Sequence, residues 1–196
     1  MRLGRIQRTT SETEISCTLQ VDGDGIADVE TGCGFLDHML TLFARHGRFD
    51  LTLSCRGDVL VDYHHTVEDA SIVLGRAFSQ ALGDRAGICR YGSVFLPMDE
   101  ALVLAALDIS GRSVLQYDLA FPSEKMGEFD TELIREFFAA FSREVGMALH
   151  LRQFSGVSSH HIAEAAFKAT ARALAQAVDI SEDDPDGIPS SKGTIL

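Results

Sequence analysis

One segment of this chain is written twice. His64-His65-Thr66-Val67-Glu68 returns as His160-His161-Ile162-Ala163-Glu164, 96 residues further on in a chain of 196. The same step pairs Ala70 with Ala166, Arg76 with Arg172, Ala77 with Ala173, Gln80 with Gln176 and Ala81 with Ala177. A recurrence at half the chain length marks an internal duplication, so any fold proposed for one half must serve for the other. No linker or low-complexity segment parts the halves, and 45% hydrophobic residues supply enough apolar material for one compact unit. We therefore read residues 1–196 as a single domain of two fused repeats, about 1–88 and 89–196.

Periodicity fills in each repeat. Residues 5–21 alternate and are rich in Thr, Ile, Val and Leu. Asp22-Gly23-Asp24-Gly25 then predicts a hairpin turn, with a short strand near 26–30. Phe35, Leu36, Met39, Leu40, Leu42 and Phe43 are spaced for a helix that stops at Gly47. Residues 50–55 alternate as a strand, and Asp62 is placed to cap a helix from His64 to about Leu82. In the second half, strands are expected near 91–97 and 101–109, with a further extended piece at 113–120 and a loop at 121–131. A helix follows over 131–147, then a strand over 149–154, then a helix from His160 to about Val178 capped by Ser158 or Ser159. The acidic segment 181–189, with two prolines, predicts a tail that leaves the fold as a loop. Each half thus reads β-β-α-β-α, and the whole is α+β, with sheets packed against a helix layer.

The repeated segment carries ligand chemistry. Residues four apart on a helix share a face, whereas adjacent residues point about 100° apart. His64 and Glu68 therefore serve one ion, and His65 must look toward another. The same holds for His160 with Glu164, and for His161. A further ligand is expected from each preceding helix, at His38, 26 residues before His64, and at Glu136, 24 residues before His160. The eight candidates His38, His64, His65, Glu68, Glu136, His160, His161 and Glu164 offer nitrogen and oxygen but no thiolate. Such a set suits manganese, iron, cobalt or zinc better than copper(I) or a cluster.

Charge narrows the partners. A net charge of −12 opposes nucleic acid and anionic membranes at long range, although a local basic cluster overrides that sign at contact distance. Such a cluster is present. Pro189-Ser190-Ser191-Lys192-Gly193 joins two hydroxyls to a cation, and Arg90, Arg112 and Lys168 are further candidates for a phosphate monoester. His46, at a helix end, is an additional candidate. Cys17, Cys33, Cys55 and Cys89 lack CxxC spacing and read as reduced thiols of a cytoplasmic protein, and no apolar run is long enough to span a bilayer.

These motifs, taken in order, resemble the imidazoleglycerol-phosphate dehydratase family. The resemblance rests on Gly34-Phe35-Leu36-Asp37-His38-Met39-Leu40, Asp62-Tyr63-His64-His65-Thr66-Val67-Glu68-Asp69 and Met98-Asp99-Glu100-Ala101-Leu102. It continues with Asp108-Ile109-Ser110-Gly111-Arg112, His160 to Ala165 with Phe167-Lys168-Ala169, and Pro189 to Gly193. It implies dehydration of D-erythro-imidazoleglycerol phosphate to imidazole acetol phosphate in histidine biosynthesis. It implies two Mn²⁺ per site and a hollow assembly of twenty-four subunits with active sites at subunit interfaces. Carried over by position, the eight candidates become metal ligands. Arg90, Arg112, Ser190, Ser191 and Lys192 become the phosphate clamp, and Glu12, His46 and Lys168 join His38, His64 and Glu68 beside the substrate. Glu12 and Glu164 are the candidates for moving protons, with His46 as a further catalytic group. Three positions depart from the family pattern: Glu136 stands where many members have His, Leu42 where Gln is often found, and Cys33 where an aliphatic residue is common.

The chemistry expected is expulsion of a hydroxyl by an imidazolate ring, then proton loss to an enol that becomes the ketone. Two rivals share these features. A two-metal phosphohydrolase would use the same ligands and clamp but release phosphate. A metal-storing shell protein would need the metals but gives the Ser-Ser-Lys tail no purpose.

Overall fold

The computed structural model describes residues 1–195. The first half contains strands β1 (Leu3–Thr9), β2 (Thr13–Gln20) and β3 (Ala27–Glu30), helix α1 (Gly34–Gly47), strand β4 (Asp50–Gly57) and helix α2 (His64–Leu82). The second contains β5 (Tyr91–Met98), β6 (Ala101–Asp108), β7 (Val114–Asp118), the two-residue strands β8 (Lys125–Met126) and β9 (Phe129–Asp130), α3 (Glu132–Val145), β10 (Ala148–Ser155) and α4 (Ser159–Val178). The short strand anticipated at 26–30 and the extended piece at 113–120 take full places in the sheets. Each half accordingly runs β-β-β-α-β-α.

The two sheets have the same order, β1-β2-β4-β3 and β5-β6-β10-β7, with the last pair parallel in each. Helices α1 and α2 lie against the first sheet, and α4 lies against β5 and β6 of the second. Across the middle, α1 packs on α4 and α2 on α3, so the halves share one apolar core. Its centre is aromatic: Phe43, Phe78 and Phe141 meet edge to face at 5.6–6.0 Å, and Phe167 lies against Phe137 and Phe138.

Three expectations are corrected. The segment 5–21 is two strands, not one, because it turns at Thr10–Glu12, where Thr10 N–H donates to Thr13 O at 2.8 Å. Asp22–Gly25 is consequently not a hairpin turn. Asp50 Oδ1 accepts from the N–H groups of Asp24 and Ile26, which directs the chain into β3 alongside β4. Nor does the acidic tail leave the fold: Gly87 N–H donates to Gly187 O, Ser181 N–H donates to Gly87 O, and the Arg90 guanidinium donates to Pro189 O.

The outer faces of the sheets differ in kind. The first presents Arg5, Gln7, Glu14, Ser16, Ser54 and Arg56, all exposed and all polar. The second presents Tyr91, Phe95 and Phe154 at 59%, 61% and 52% exposure, with Phe95 and Phe154 rings 5.3 Å apart. Leu102 and Leu104 lie half-buried on the strand between them. Among the described residues, no helix is long and apolar enough to cross a membrane.

Both halves bring the second helix onto the first strand over a glycine. A Cβ on Gly4 would lie 2.0 Å from Ala77 O, and one on Gly92 would lie 1.9 Å from Ala173 O. These are backbone obstacles, so neither side can yield by rotating a side chain. Gly4→Ala and Gly92→Ala are each expected to destabilise the protein by about 1–3 kcal/mol, the usual cost of overpacking. Denaturant unfolding checks this, and an unchanged midpoint for either variant would contradict the close approach.

Candidate metal centre

Helix α4 begins at a serine cap. Ser158 Oγ accepts from His161 N–H, which fixes the first turn and aims His160 along the α1–α4 seam. His160 Nε2 lies 3.2 Å from Glu164 Oε2, one turn on, and His38 Nε2 from α1 lies 3.8 Å from the same oxygen. The three donor atoms fall within 4.8 Å of one another. Phe35 meets the His160 ring edge-on at 5.6 Å, with Phe129 behind it. Two imidazoles and one carboxylate converging in this way suit a divalent transition metal.

Glu164 is the anchor of this group. Burial pulls its pKa upward, but the Lys168 ammonium hydrogen-bonded to Oε1 outweighs burial, with smaller help from His160 and His38, and sets it below the ordinary value. Lys168 also reaches Met98 Sδ at 3.6 Å. His46, at the end of α1, has its pKa lowered by burial first and then by Lys168 and Arg172. It lines a cleft of about 590 Å³ with those two cations and residues of β5.

The first-half counterpart is more open. His64 Nε2 and Glu68 Oε2 stand 3.9 Å apart on α2, and Asp62 Oδ1 accepts from His64 N–H at 2.7 Å to start the helix. Glu136 occupies the place on α3 that His38 holds on α1, and α3 packs on α2 as α1 packs on α4. Its carboxylate lies 3.8 Å from Arg135. Glu136, His64 and Glu68 do not converge into a tight three-group cluster among the described residues.

His65 and His161 point away from both groups, as neighbours on a helix must. His65 meets Asp58 through Nδ1 at 2.9 Å and Glu12 through Nε2 at 3.7 Å. His161 meets Glu100 through Nδ1 at 2.7 Å and Asp99 through Nε2 at 3.7 Å. The hydrogen bond from Asp58 raises the pKa of His65, and that from Glu100 raises the pKa of His161. Glu100 is in turn held down to about 2, by His161 first and then by the amides of Ser158 and Val157.

The phosphate candidates lie elsewhere. Arg90 is engaged by Asp108, at 2.6 Å from Nε and 3.1 Å from Nη2, and donates through Nη1 to Pro189 O at 2.8 Å. Ser190 Oγ accepts from Lys192 N–H, while Ser191 and Lys192 are exposed. Arg112, exposed in the β6–β7 turn, has no hydrogen bond or ion pair among the described residues. Arg90 N–H donates to Ala177 O near the far end of α4. His160 and Ala177 are separated by seventeen residues of that helix, about 25 Å at 1.5 Å per residue. One chain therefore keeps its tail cluster and its metal cluster well apart.

The sequence model of imidazoleglycerol-phosphate dehydratase matches residues 31–174. Proteins of that name from Cereibacter sphaeroides (strain ATCC 17029 / ATH 2.4.9) and Ruegeria pomeroyi are each 56% identical over 195 residues, covering all of both chains. The crystal structure of imidazoleglycerol-phosphate dehydratase from Staphylococcus aureus superposes with a TM-score of 0.81 at 36% identity, covering 91% of this chain and 99% of that one. The Pyrococcus furiosus structure, in complex with (S)-C348, superposes at 0.83 and 35% identity, covering 96% and 99%. The chain belongs to the imidazoleglycerol-phosphate dehydratase family. It is an enzyme of that hydro-lyase type.

Asp58, Asp99 and Glu100 are the groups at this site that the repeat alone did not disclose. Strands β1 and β2 recur at 88 residues in β5 and β6, as the register Leu3↔Gln20 against Tyr91↔Asp108 shows, whereas β4 recurs at 98 in β10 and the paired-histidine segment at 96. Aligning the strands by 88 would have placed Glu100 opposite Glu12.

The Lys168–Glu164 pair carries a testable pH dependence. A carboxylate with a depressed folded pKa contributes stability above the ordinary carboxylate range and loses it as pH falls through the folded value. In Lys168→Met burial is opposed only by His160 and His38, so the folded pKa of Glu164 rises and the stability its carboxylate contributes above that range shrinks. Melting temperature measured against pH on metal-free protein checks this, and coincident profiles for variant and parent would disprove the coupling.

Proposed function

We propose that this protein dehydrates D-erythro-imidazoleglycerol phosphate to imidazole acetol phosphate in histidine biosynthesis, with two Mn²⁺ per active site. The observation that carries the metal dependence is the convergence of His38, His160 and Glu164 within 4.8 Å in a chain of this family. The donor set is nitrogen and carboxylate oxygen, which fits Mn²⁺. His38, His160 and Glu164 would hold one ion from one chain, and His64, Glu68 and Glu136 would contribute to the other. His65 and His161, turned outward, would complete the sites of neighbouring copies. When bound, the ions would act as Lewis acids and as a template for the two ring nitrogens of the substrate.

The side chains divide the remaining work. Both oxygens of Glu164 are engaged, by Lys168 and by the two histidines, so it serves as a ligand. Glu12 is exposed in the β1–β2 turn with His65 beside it, and moving the proton falls to it. His46 and Lys168 line the approach at the end of α1. Ser190, Ser191, Lys192 and Arg112 bind the phosphate. Arg90 holds the tail through Pro189 O and has one proton left on each terminal nitrogen for the phosphate.

The roughly 25 Å along α4 between the tail cluster and His160 supports interfacial sites. A small phosphate ester cannot bridge that length, so the metal ligands and the clamp that meet one substrate come from different subunits. The apolar outer face of the second sheet supports self-association, and the reading is a homo-oligomer of twenty-four subunits in the cytoplasm, with no nucleic-acid or membrane partner.

Turnover of imidazoleglycerol phosphate by metal-stripped protein, with and without Mn²⁺, tests the proposal when ketone and free phosphate are followed together. Ketone that appears only with metal, without phosphate, is the expected result. Released phosphate would replace the dehydratase with a hydrolase. Within the same assay, Glu12→Gln is expected to lower turnover by about 10²–10⁴-fold while keeping both ions, and Glu164→Gln to lose an ion.

A further inference from the structure

In both halves the second histidine of the repeated segment is held in the same polar setting, and the duplication does not explain it. His65 has a carboxylate 2.9 Å from Nδ1 and another 3.7 Å from Nε2. His161 has the same pair of neighbours at 2.7 Å and 3.7 Å. A carboxylate only accepts, so the short contact in each case places the ring proton on Nδ1 and leaves the lone pair on Nε2. Yet the residues responsible are not equivalent. By strand register Glu12 corresponds to Glu100, but Glu12 faces Nε2 of its histidine whereas Glu100 faces Nδ1. Asp58 follows β4, and past the register shift in β10 the corresponding position is Val157, whose side chain is apolar. One ring orientation has thus been built twice from different chain positions. That outcome follows from a requirement on the ring, not from inheritance of a fold.

The surroundings of the two carboxylates sharpen the point. Asp58 Oδ1 is buried without a hydrogen-bond partner, and among the described residues Oδ2 is engaged by His65 alone. Its side chain therefore holds no backbone in place. The side chain as a whole is partly exposed, but an oxygen buried without a partner costs stability unless the charge serves the group it touches. Glu100 has a second task, since its Oε1 accepts from the amides of Val157 and Ser158 at 3.1 and 2.9 Å where α4 begins.

We infer that Asp58 and Glu100 are positioning residues that hold His65 and His161 as Nδ1–H tautomers with Nε2 presented to a metal ion. Because Asp58 performs this task in the first half, Glu12 is released from the role its counterpart Glu100 fills. The inference rests on the reading of His65 and His161 as metal ligands. Partners of this kind commonly change metal affinity 10- to 100-fold.

Mn²⁺ binding by the metal-stripped full-length protein tests it, with calorimetry and the electron paramagnetic resonance of free Mn²⁺ as readouts. Asp58→Ala is expected to weaken one of the two ions by about 10- to 100-fold, and Asp58→Asn, whose amide oxygen still accepts from Nδ1–H, to weaken it less. Glu100→Gln keeps an oxygen for the Val157 and Ser158 amides but turns an NH₂ toward His161 Nδ1. That forces the proton onto Nε2, and the other ion should be weakened at least as strongly. Asp58→Ala combined with His65→Ala should bind no more weakly than His65→Ala alone. Parental affinity for both ions in Asp58→Ala or in Glu100→Gln, with an ion lost in His65→Ala and in His161→Ala, would overturn the positioning role. Equal loss in Asp58→Ala and Asp58→Asn would also overturn it, because a hydrogen-bonded orientation must be rescued by the amide. Parental binding in His65→Ala and His161→Ala would remove the ligand reading itself, and the positioning role with it. Metal-free melting curves identify any variant that has failed to fold, and for Asp58 the Asn form then stands in for Ala.

Discussion

The seam between α1 and α4 is the contact on which the site depends. It joins an element of the first half to one of the second, with Phe35 and His38 of α1 meeting His160 of α4. His38 reaches Glu164 only because of it. A cluster of two imidazoles and a carboxylate, with a lysine on the far oxygen, is electrostatically demanding. Glu164 is 7% exposed, and its charge is supportable because Lys168 lies one turn away on the same helix. The aromatic core beneath, from Phe137 through Phe167, holds α3 and α4 in register and makes that arrangement rigid. The duplication supplies the same seam between α2 and α3 but not the same chemistry.

Much of this was legible in the sequence, and the reasons are specific. The helices were readable because their apolar residues recur at helical spacing and because Gly47, Asp62 and Ser158 mark their ends. The convergence of His160 with Glu164 was readable because a helix turns i and i+4 to one face, which separates His160 from His161 without any knowledge of the fold. The strand pairing was less accessible. Asp22–Gly25 has hairpin composition, but Asp50, 26 residues downstream of Asp24, redirects it through long-range hydrogen bonds. The orienting carboxylates were hidden for a different reason. The repeat is spaced at 88 residues in the strands before the first helix of each half and at 96 in the paired-histidine segment, because the β8–β9 hairpin inserts between β7 and α3 in the second half alone. A single offset reveals the histidines and conceals their partners.

The tail shows how composition misleads when charge is read without partners. Residues 181–189 are acidic and proline-bearing, yet they lie along residues 85–90 through backbone hydrogen bonds that composition does not encode. Arg90 adopts a left-handed backbone conformation, with φ at 71°, and directs its guanidinium between Asp108 and Pro189 O. It is thereby placed to present Ser190 to Lys192 at the end of the molecule remote from His160. If the tail binds the substrate phosphate as proposed, this placement makes an isolated chain an incomplete catalyst on geometric grounds, and the uncovered aromatic face of the second sheet gains a purpose.

The two ligand sets also differ in charge, and the difference has a direction. His38, His160 and Glu164 carry one formal negative charge, compensated by Lys168. Glu136, His64 and Glu68 carry two, with Arg135 only at 3.8 Å from Glu136. A divalent cation neutralises the second set more completely, and two carboxylates without one repel each other at close range. On the proposed reading, a carboxylate at position 136 therefore makes the charge balance of the first-half site depend more on its metal than that of the second. The half in which Asp58 would hold the outward histidine is then also the half whose inward ligands rely most on the ion.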